Sequence, residues 1–173
     1  MSIPRLRDPA RHHPTATTRP ADFDAFWAEI IAAADRIPLN ACLTPVPARS
    51  TRSVDVFEID YDSLDNVRVA GWYCVPKVSY VPPPYPGLLI VPGYISEPTL
   101  PKSWAQLGYA AVGVAPRGKL RSNRQYNPGY PGLLVDNIVD RHTYAYRGFY
   151  VDAARAVDFL HTRSEVDPGR IGV

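Results

Sequence analysis

Tyr146-Arg147-Gly148-Phe149-Tyr150-Val151-Asp152-Ala153-Ala154-Arg155-Ala156-Val157-Asp158-Phe159-Leu160-His161-Thr162-Arg163-Ser164-Glu165-Val166-Asp167 runs into Pro168-Gly169 and then Arg170-Ile171-Gly172-Val173. Tyr146, Phe149, Tyr150, Ala153, Val157 and Leu160 recur at helical spacing, so Tyr146 to Asp167 reads as a long amphipathic helix. Pro168-Gly169 is turn chemistry. Arg170–Val173 then reads as the opening of a buried strand. Such a helix feeding a strand is half of a parallel-sheet crossover unit.

Upstream, Gly87-Leu88-Leu89-Ile90-Val91 is apolar on both faces, as a central parallel strand is. A short helix over Leu100–Leu107 follows, with Gly108 at its C-terminal cap, and then a second apolar strand, Tyr109–Ala115. Residues 116–142 form a Gly/Pro-interrupted loop, of a length that is usually functional or disordered. Nearer the N-terminus, Val54–Tyr61 alternates apolar and acidic residues. Turn residues Asp62-Ser63-Leu64-Asp65-Asn66 join it to Val67–Val75, predicting an antiparallel hairpin. Residues 38–53 are proline-rich and extended. Asp22 offers an N-cap to a helix of about 14 residues carrying Phe23, Phe26, Trp27, Ile30, Ile31 and Ala34, ending near Ile37. Residues 1–20 read as a disordered or loosely attached arm, and 21–173 as one domain. The expected fold is α/β: a mostly parallel sheet with an N-terminal antiparallel hairpin and flanking helices. Leu88–Val91, Tyr109–Ala115 and Arg170–Val173 should lie side by side in parallel.

The chain has 173 residues, 46% apolar and 21% charged, with a net charge of +2, so its overall balance implies no polyanionic partner. No apolar run approaches the roughly 18 residues of a membrane span. Residues 1–20 lack the apolar core of a secretory signal, which makes the cytoplasm the expected compartment. Cys42 and Cys74 have no ligand-like spacing and read as reduced, inert thiols. His12-His13 reads as part of the arm, and nothing in the chain has metal-ligand spacing. No cofactor is implied.

Chemistry is expected at the carboxyl ends of the parallel strands. Val91-Pro92-Gly93-Tyr94-Ile95 follows the first of them and fits two readings. One is a tight turn closing a buried strand. The other is a loop in which Gly93 allows close approach and the Tyr94 N–H faces a developing oxyanion. Arg117-Gly118-Lys119 leaves the second strand, with Arg121 and Arg124 beyond. These cations lack the aromatic stacking or glycine-rich cradle of a nucleic-acid or phosphate site, but an arginine there can pin loops by bidentate hydrogen bonds. Nine serines are present and none lies in a G-x-S-x-G elbow. His142 and His161, the histidines outside the arm, read as local capping and surface residues.

From about Ala21 to Val173 an ordered series of stretches resembles the acetyl xylan esterase/cephalosporin-C deacetylase family, the family 7 carbohydrate esterases. They are Asp22-Phe23-Asp24-Ala25-Phe26-Trp27, Ile37-Pro38-Leu39-Asn40, Val69-Ala70-Gly71-Trp72-Tyr73-Cys74-Val75-Pro76-Lys77 and Gly108-Tyr109-Ala110. Tyr130-Pro131-Gly132, Thr143-Tyr144-Ala145-Tyr146-Arg147, Asp152-Ala153-Ala154-Arg155-Ala156-Val157 and Val166-Asp167-Pro168-Gly169-Arg170-Ile171-Gly172-Val173 complete it.

The resemblance implies the N-terminal half of an α/β-hydrolase. It also implies hydrolysis of acetyl esters on small acetylated xylo-oligosaccharides or cephalosporin C by a cofactor-free Ser-His-Asp triad, in an intracellular and commonly hexameric protein. By the same resemblance Tyr94 occupies the family's H-G-Y motif as a backbone oxyanion donor, and Gly93, Arg117, Gly118 and Lys119 brace the active-site loops. Pro92 stands for the histidine of H-G-Y, Lys119 for the glutamine of R-G-Q, and Ala115-Pro116 where an aspartate is usual. Lysine donates hydrogen bonds and cannot accept them, so the brace at 119 is expected to weaken. All three triad residues are expected beyond Val173, leaving this chain inactive alone, with an unpaired strand edge inviting self-association. The alternative reading is a non-catalytic, degenerate hydrolase module that binds a ligand or partner.

Overall fold

The computed structural model describes residues 16–94, 96–129 and 132–173, so the expected arm falls largely outside the described residues. Among the described residues nine α-helices and β-strands follow one another: α1 (Phe23–Asp35), β1 (Cys42–Pro45), β2 (Val54–Asp62), β3 (Arg68–Pro76), β4 (Tyr85–Ile90), α2 (Lys102–Gln106), β5 (Ala110–Ala115), α3 (Ala145–His161) and β6 (Val166–Gly172). The strands form one sheet in the order β1-β2-β3-β5-β4-β6. β1, β2, β3 and β5 are antiparallel neighbours. β4 lies parallel to β5 on one side and to β6 on the other. The three expected parallel strands are therefore adjacent.

β5 shows why the sheet is buried here: all six of its residues are apolar or glycine and all are buried, so helices must cover both faces. On one face α3 packs Phe159 and Leu160 against Tyr61, Tyr73, Tyr85, Leu89 and Val112. On the other, α2 brings Ala105 against Val54, Val56, Trp72 and Cys74. α1 closes a smaller cluster of Ile30 and Ala34 with Leu64 and Val151. Cys74 is buried and Cys42 exposed, and neither is bonded to the other.

Several expectations are corrected. The long helix ends at His161, six residues early, and β6 starts at Val166 instead of Arg170. Val166 is 4% exposed and pairs with Tyr85, so burial of its side chain draws the strand start forward. Pro168-Gly169 is no turn between elements. It lies in a register shift inside β6, between the pairs Asp167–Pro86 and Ile171–Gly87. The buried face of α3 is also rotated from the expected stripe: Ala145, Gly148, Val151, Asp152, Arg155, Ala156, Phe159 and Leu160 are buried, while Tyr150 is 61% exposed. The extended 38–53 segment includes a paired strand, since Cys42–Pro45 lies against Phe57–Asp60 of β2. Asp22 precedes α1 as expected, but its carboxylate pairs with Arg141 at 2.5 Å and makes no cap bond.

Candidate functional site

β4 and β5 run in parallel, so their carboxyl ends open at one edge of the sheet and the loops after them meet there. The loop after β4 turns at Gly93, whose carbonyl accepts the Ser96 N–H at 3.1 Å. The segment after β5 turns at Gly118, with φ +74°, where a Cβ would stand 2.4 Å from Leu133 Cδ2. Only glycine combines that backbone with that contact. The Lys119 N–H donates to Pro116 O at 3.1 Å and the Ser122 N–H to Lys119 O at 2.7 Å, which closes the turn. Ser122 Oγ anchors it to the sheet, donating to Ala115 O at 2.5 Å and accepting from Ala70 N at 2.7 Å.

Arg117 and Lys119 leave this turn in different directions. Arg117 is 3% exposed and enters a bed of acceptors. Asp152 Oδ2 accepts from the Arg117 backbone N at 2.8 Å and from Nε at 3.0 Å, and Oδ1 accepts from Nη2 at 2.9 Å. Arg117 Nη2 also donates to Leu64 O at 2.8 Å, and Nη1 to Asp65 Oδ2 at 3.0 Å. Ser63 Oγ donates to Asp152 Oδ1 at 2.5 Å, and the Tyr61 hydroxyl to the Asp152 carbonyl at 2.7 Å. Asp65 is shared with Arg147 Nη2 at 2.6 Å. Burial pulls the Arg117 guanidinium down, but Asp152 and Asp65 outweigh it and hold its value above the ordinary arginine range. The β5 end is thus bolted to α3 and to the β2–β3 turn.

Lys119 points the other way, toward the loop after β4. Its Nζ donates to Gly93 O at 2.7 Å and lies 5.4 Å from the centre of the Tyr94 ring. Lys119, where the brace is expected to weaken, makes this bond to the loop after β4. The partner is a carbonyl, an acceptor, so an ammonium serves. Burial pulls the Lys119 value down and Glu97 opposes the shift. Burial likewise pushes Glu97 up, against Arg121 and Lys119. The structure thus brings Gly93, Tyr94 and Lys119 together, while Arg117 and Gly118 hold the turn that carries Lys119.

The other cations and both histidines lie elsewhere. Arg121 pairs with Glu58 at 2.9 Å and stacks 4.0 Å over Trp72. Exposed His142 packs edge-on to Phe26 at 5.4 Å, and His161 is exposed in the last turn of α3. Among the described residues no group of three or more His, Cys, Asp or Glu side chains is placed to hold a metal. No described helix is long and apolar enough to cross a membrane.

The family model for acetyl xylan esterase (AXE1) matches residues 3–173. The chain belongs to the acetyl xylan esterase family. Among its relatives is the acetyl esterase Axe7A of Xylanibacter ruminicola, 25% identical over 166 residues, covering 87% of this chain and 36% of that protein. Among solved structures, an acetyl xylan esterase from Paenibacillus sp. R4 superposes with a TM-score of 0.81 at 32% identity, over 93% of this chain and 53% of that one. Acetyl Xylan Esterase 1 from Thermoanaerobacterium sp. JW/SL YS485 gives 0.82 at 18% identity, over 97% and 54%, a likeness that speaks for the fold. The chain therefore spans about half the length of these structures and less of the curated relative.

Three carboxylates around these loops, Asp65, Glu97 and Asp152, carry no motif that marks them in the sequence as candidate site residues. Asp65 hides in turn chemistry and Glu97 in a loop. Asp152 had a usable signal, since Ala145, Gly148, Ala156 and Phe159 mark a helical face of small and aromatic residues on which Asp152 and Arg155 are charged intruders. A buried carboxylate on such a face needs a cation, and the arginine leaving β5 is that cation.

Proposed function

We propose that this chain forms the N-terminal part of an acetyl esterase that removes acetyl groups from small acetylated xylo-oligosaccharides or cephalosporin-type compounds. In this reading the nucleophile, base and orienting acid of a Ser-His-Asp triad come from the part of the relatives' length that this chain does not span. The acyl group passes to the serine and then to water. This chain's own contribution is the shoulder of the site. The Gly93–Tyr94 turn offers the Tyr94 backbone N–H to the tetrahedral oxyanion, and one such donor is worth about 2.7–4 kcal/mol of barrier. The observation that carries the reading is the Lys119 ammonium seated on the Gly93 carbonyl at 2.7 Å, which preorganises that turn.

The same reading gives a cytoplasmic, cofactor-free protein with no membrane or nucleic-acid partner, assembling with copies of itself, in the family's common case as a hexamer.

The test compares acetyl ester turnover, on p-nitrophenyl acetate and an acetylated xylobiose, by this chain alone and by the polypeptide extended through the downstream reading frame. Activity should belong to the extended protein only. In it, Tyr94→Phe should retain kcat, whereas Tyr94→Pro, which removes the N–H, should lower kcat by about 10²–10³. An inactive extended protein, or one that loses nothing on Tyr94→Pro, sinks the esterase reading. The degenerate binding module, favoured by Pro92 at the H-G-Y position, would then stand.

A further inference from the structure

A hollow of about 340 Å³ lies where the β2–β3 turn, the residues leaving β5 and the start of α3 meet. Its walls include Asp65, Arg117, Gln125, Tyr126, Tyr144 and Arg147. The volume is at the small end of ligand sites, which run from about 300 to 1,000 Å³. Charge is already balanced there. Arg117 lies on Asp152 and Asp65, and Arg147 on Asp65 at 2.6 Å. Two guanidiniums thus face two carboxylates, and the wall brings no excess charge for an ionic ligand to match.

Hydrogen-bonding capacity is what remains open. Asp65 Oδ2 takes both guanidiniums, which leaves Oδ1 to accept. Gln125 Oε1 accepts the Arg68 N–H at 2.6 Å, which leaves its NH₂ to donate. The Tyr144 hydroxyl donates to Leu134 O at 3.0 Å and the Tyr126 hydroxyl to Asp136, so each phenol oxygen keeps a lone pair for a donor. Arg147 Nε is out of solvent with no hydrogen-bond partner among the described residues. The same bonds hold these groups in place before any ligand arrives, which lowers the ordering cost of binding. A ligand matched to such walls donates and accepts at several points, carries no net charge and offers an apolar face to a half-buried tyrosine ring. A sugar has these properties together.

We propose that this hollow holds one neutral pyranose ring of a short oligosaccharide, with Asp65, Gln125 and Tyr144 as the contacts that set its specificity. That the oligosaccharide is the esterase's own substrate rests on the reading given above. Arg117 walls the hollow, and Lys119, two residues on, is bonded to the Gly93 carbonyl at 2.7 Å. Two residues span at most about 7 Å of backbone. An oligosaccharide held by one ring at Arg117 therefore reaches the Gly93–Tyr94 turn with another, and recognition of the sugar is separated from the turn that meets the acetyl group.

Saturation-transfer NMR on the chain itself, with xylotriose as the probe, tests this. The wild-type chain should give saturable transfer that neither inorganic phosphate nor acetate displaces. Gln125 is exposed, so Gln125→Ala leaves the core intact and should weaken xylotriose binding by about two- to tenfold, the equivalent of one neutral hydrogen bond. Tyr144→Leu, which keeps bulk and removes the ring, should weaken it by a similar factor. No saturable transfer, displacement by phosphate or acetate, or wild-type binding in Gln125→Ala or in Tyr144→Leu overturns the proposal. Binding is read here without hydrolysis. Xylotriose bound by the chain beside an inactive extended protein therefore counts against the esterase reading alone, and an active extended protein beside a chain that binds no sugar counts against the hollow alone.

Discussion

Replacing Asp152 by asparagine keeps the shape of the side chain and removes its charge, and the surrounding bonds set the cost. Oδ2 accepts from the Arg117 backbone N and Nε, and Oδ1 from Arg117 Nη2 and Ser63 Oγ. An amide NH₂ placed at Oδ2 would face two donors with no other outlet. Placed at Oδ1 it is less harmful, because the Ser63 hydroxyl can rotate to accept from it and Arg117 Nη2 keeps the Leu64 carbonyl. The better orientation still leaves one buried donor underserved, at about 1–3 kcal/mol. It also leaves a guanidinium, 4% exposed, with only the half-exposed Asp65 as counter-charge. Asp152→Asn should therefore cost about 3 kcal/mol, near the low end of the 3–5 kcal/mol for breaking a buried ion pair. Arg117→Met should cost a similar amount, since it strands the Asp152 carboxylate. The double variant Arg117→Met/Asp152→Leu should recover at least about 2 kcal/mol of the summed losses, because it removes both buried charges together. Equilibrium unfolding in urea, followed by tryptophan fluorescence, measures all three. An Asp152→Asn protein within about 1 kcal/mol of wild type, or single losses that simply add, would show that this ion pair does not hold the β5 end.

Gly148→Ala should destabilise by about 1–3 kcal/mol in thermal melts even though alanine favours helix, because its Cβ would stand 2.4 Å from Arg117 Cζ and Nε; an unchanged or raised melting temperature contradicts the packing. Iodoacetamide should alkylate Cys42 in the native protein but not Cys74, which is buried with its thiol pushed up to about 12, so intact mass should show one adduct before denaturation and two after. Burial alone would raise the Glu165 carboxyl, but its backbone, Tyr73 and Arg163 bonds lower its value below 4.5. Its stabilisation is then present above 4.5 and lost as pH falls through the lowered value, so acid unfolding of Glu165→Gln should be less pH-dependent than that of wild type, and parallel acid curves would refute it.

How much of the fold was legible follows from which residues carry the signal. Gly87–Val91 and Tyr109–Ala115 were readable because strands buried on both faces must be apolar throughout, and β4 and β5 lie within two residues of those bounds. The hairpin was readable because β2 alternates between its two faces. The face of α3 was not. Its tyrosines are large and apolar by composition, and Tyr150 lies on the outside against Trp27. The inner face is lined by Ala145, Gly148 and Ala156, small enough to let Arg117 and Asp152 lie against the helix. Hydrophobic periodicity finds stripes of large side chains. It misses a face whose purpose is to leave room for a buried ion pair.

The site shows the same asymmetry between residue type and partner. Gly93, Tyr94, Arg117 and Gly118 were legible as residues leaving two neighbouring parallel strands, and Gly118 takes the positive φ its turn requires. Lys119 was judged by what it cannot accept, whereas its worth depends on what it meets, and that is a carbonyl from another loop. Nothing local to 119 announces Gly93, because sequence separation hides a contact between loops leaving two neighbouring strands. Once the strands are paired, the two residues explain one another: Gly93 presents an acceptor and Lys119 fills it. A glutamine at 119 would keep that bond, because its amide N–H donates to a carbonyl as an ammonium does, whereas a methionine has no donor. The prediction that separates donor from charge is that K119Q keeps the 91–97 segment protected in hydrogen exchange read by mass spectrometry while K119M loses protection there; equal loss in both would show that the bond to Gly93 O does not hold the turn.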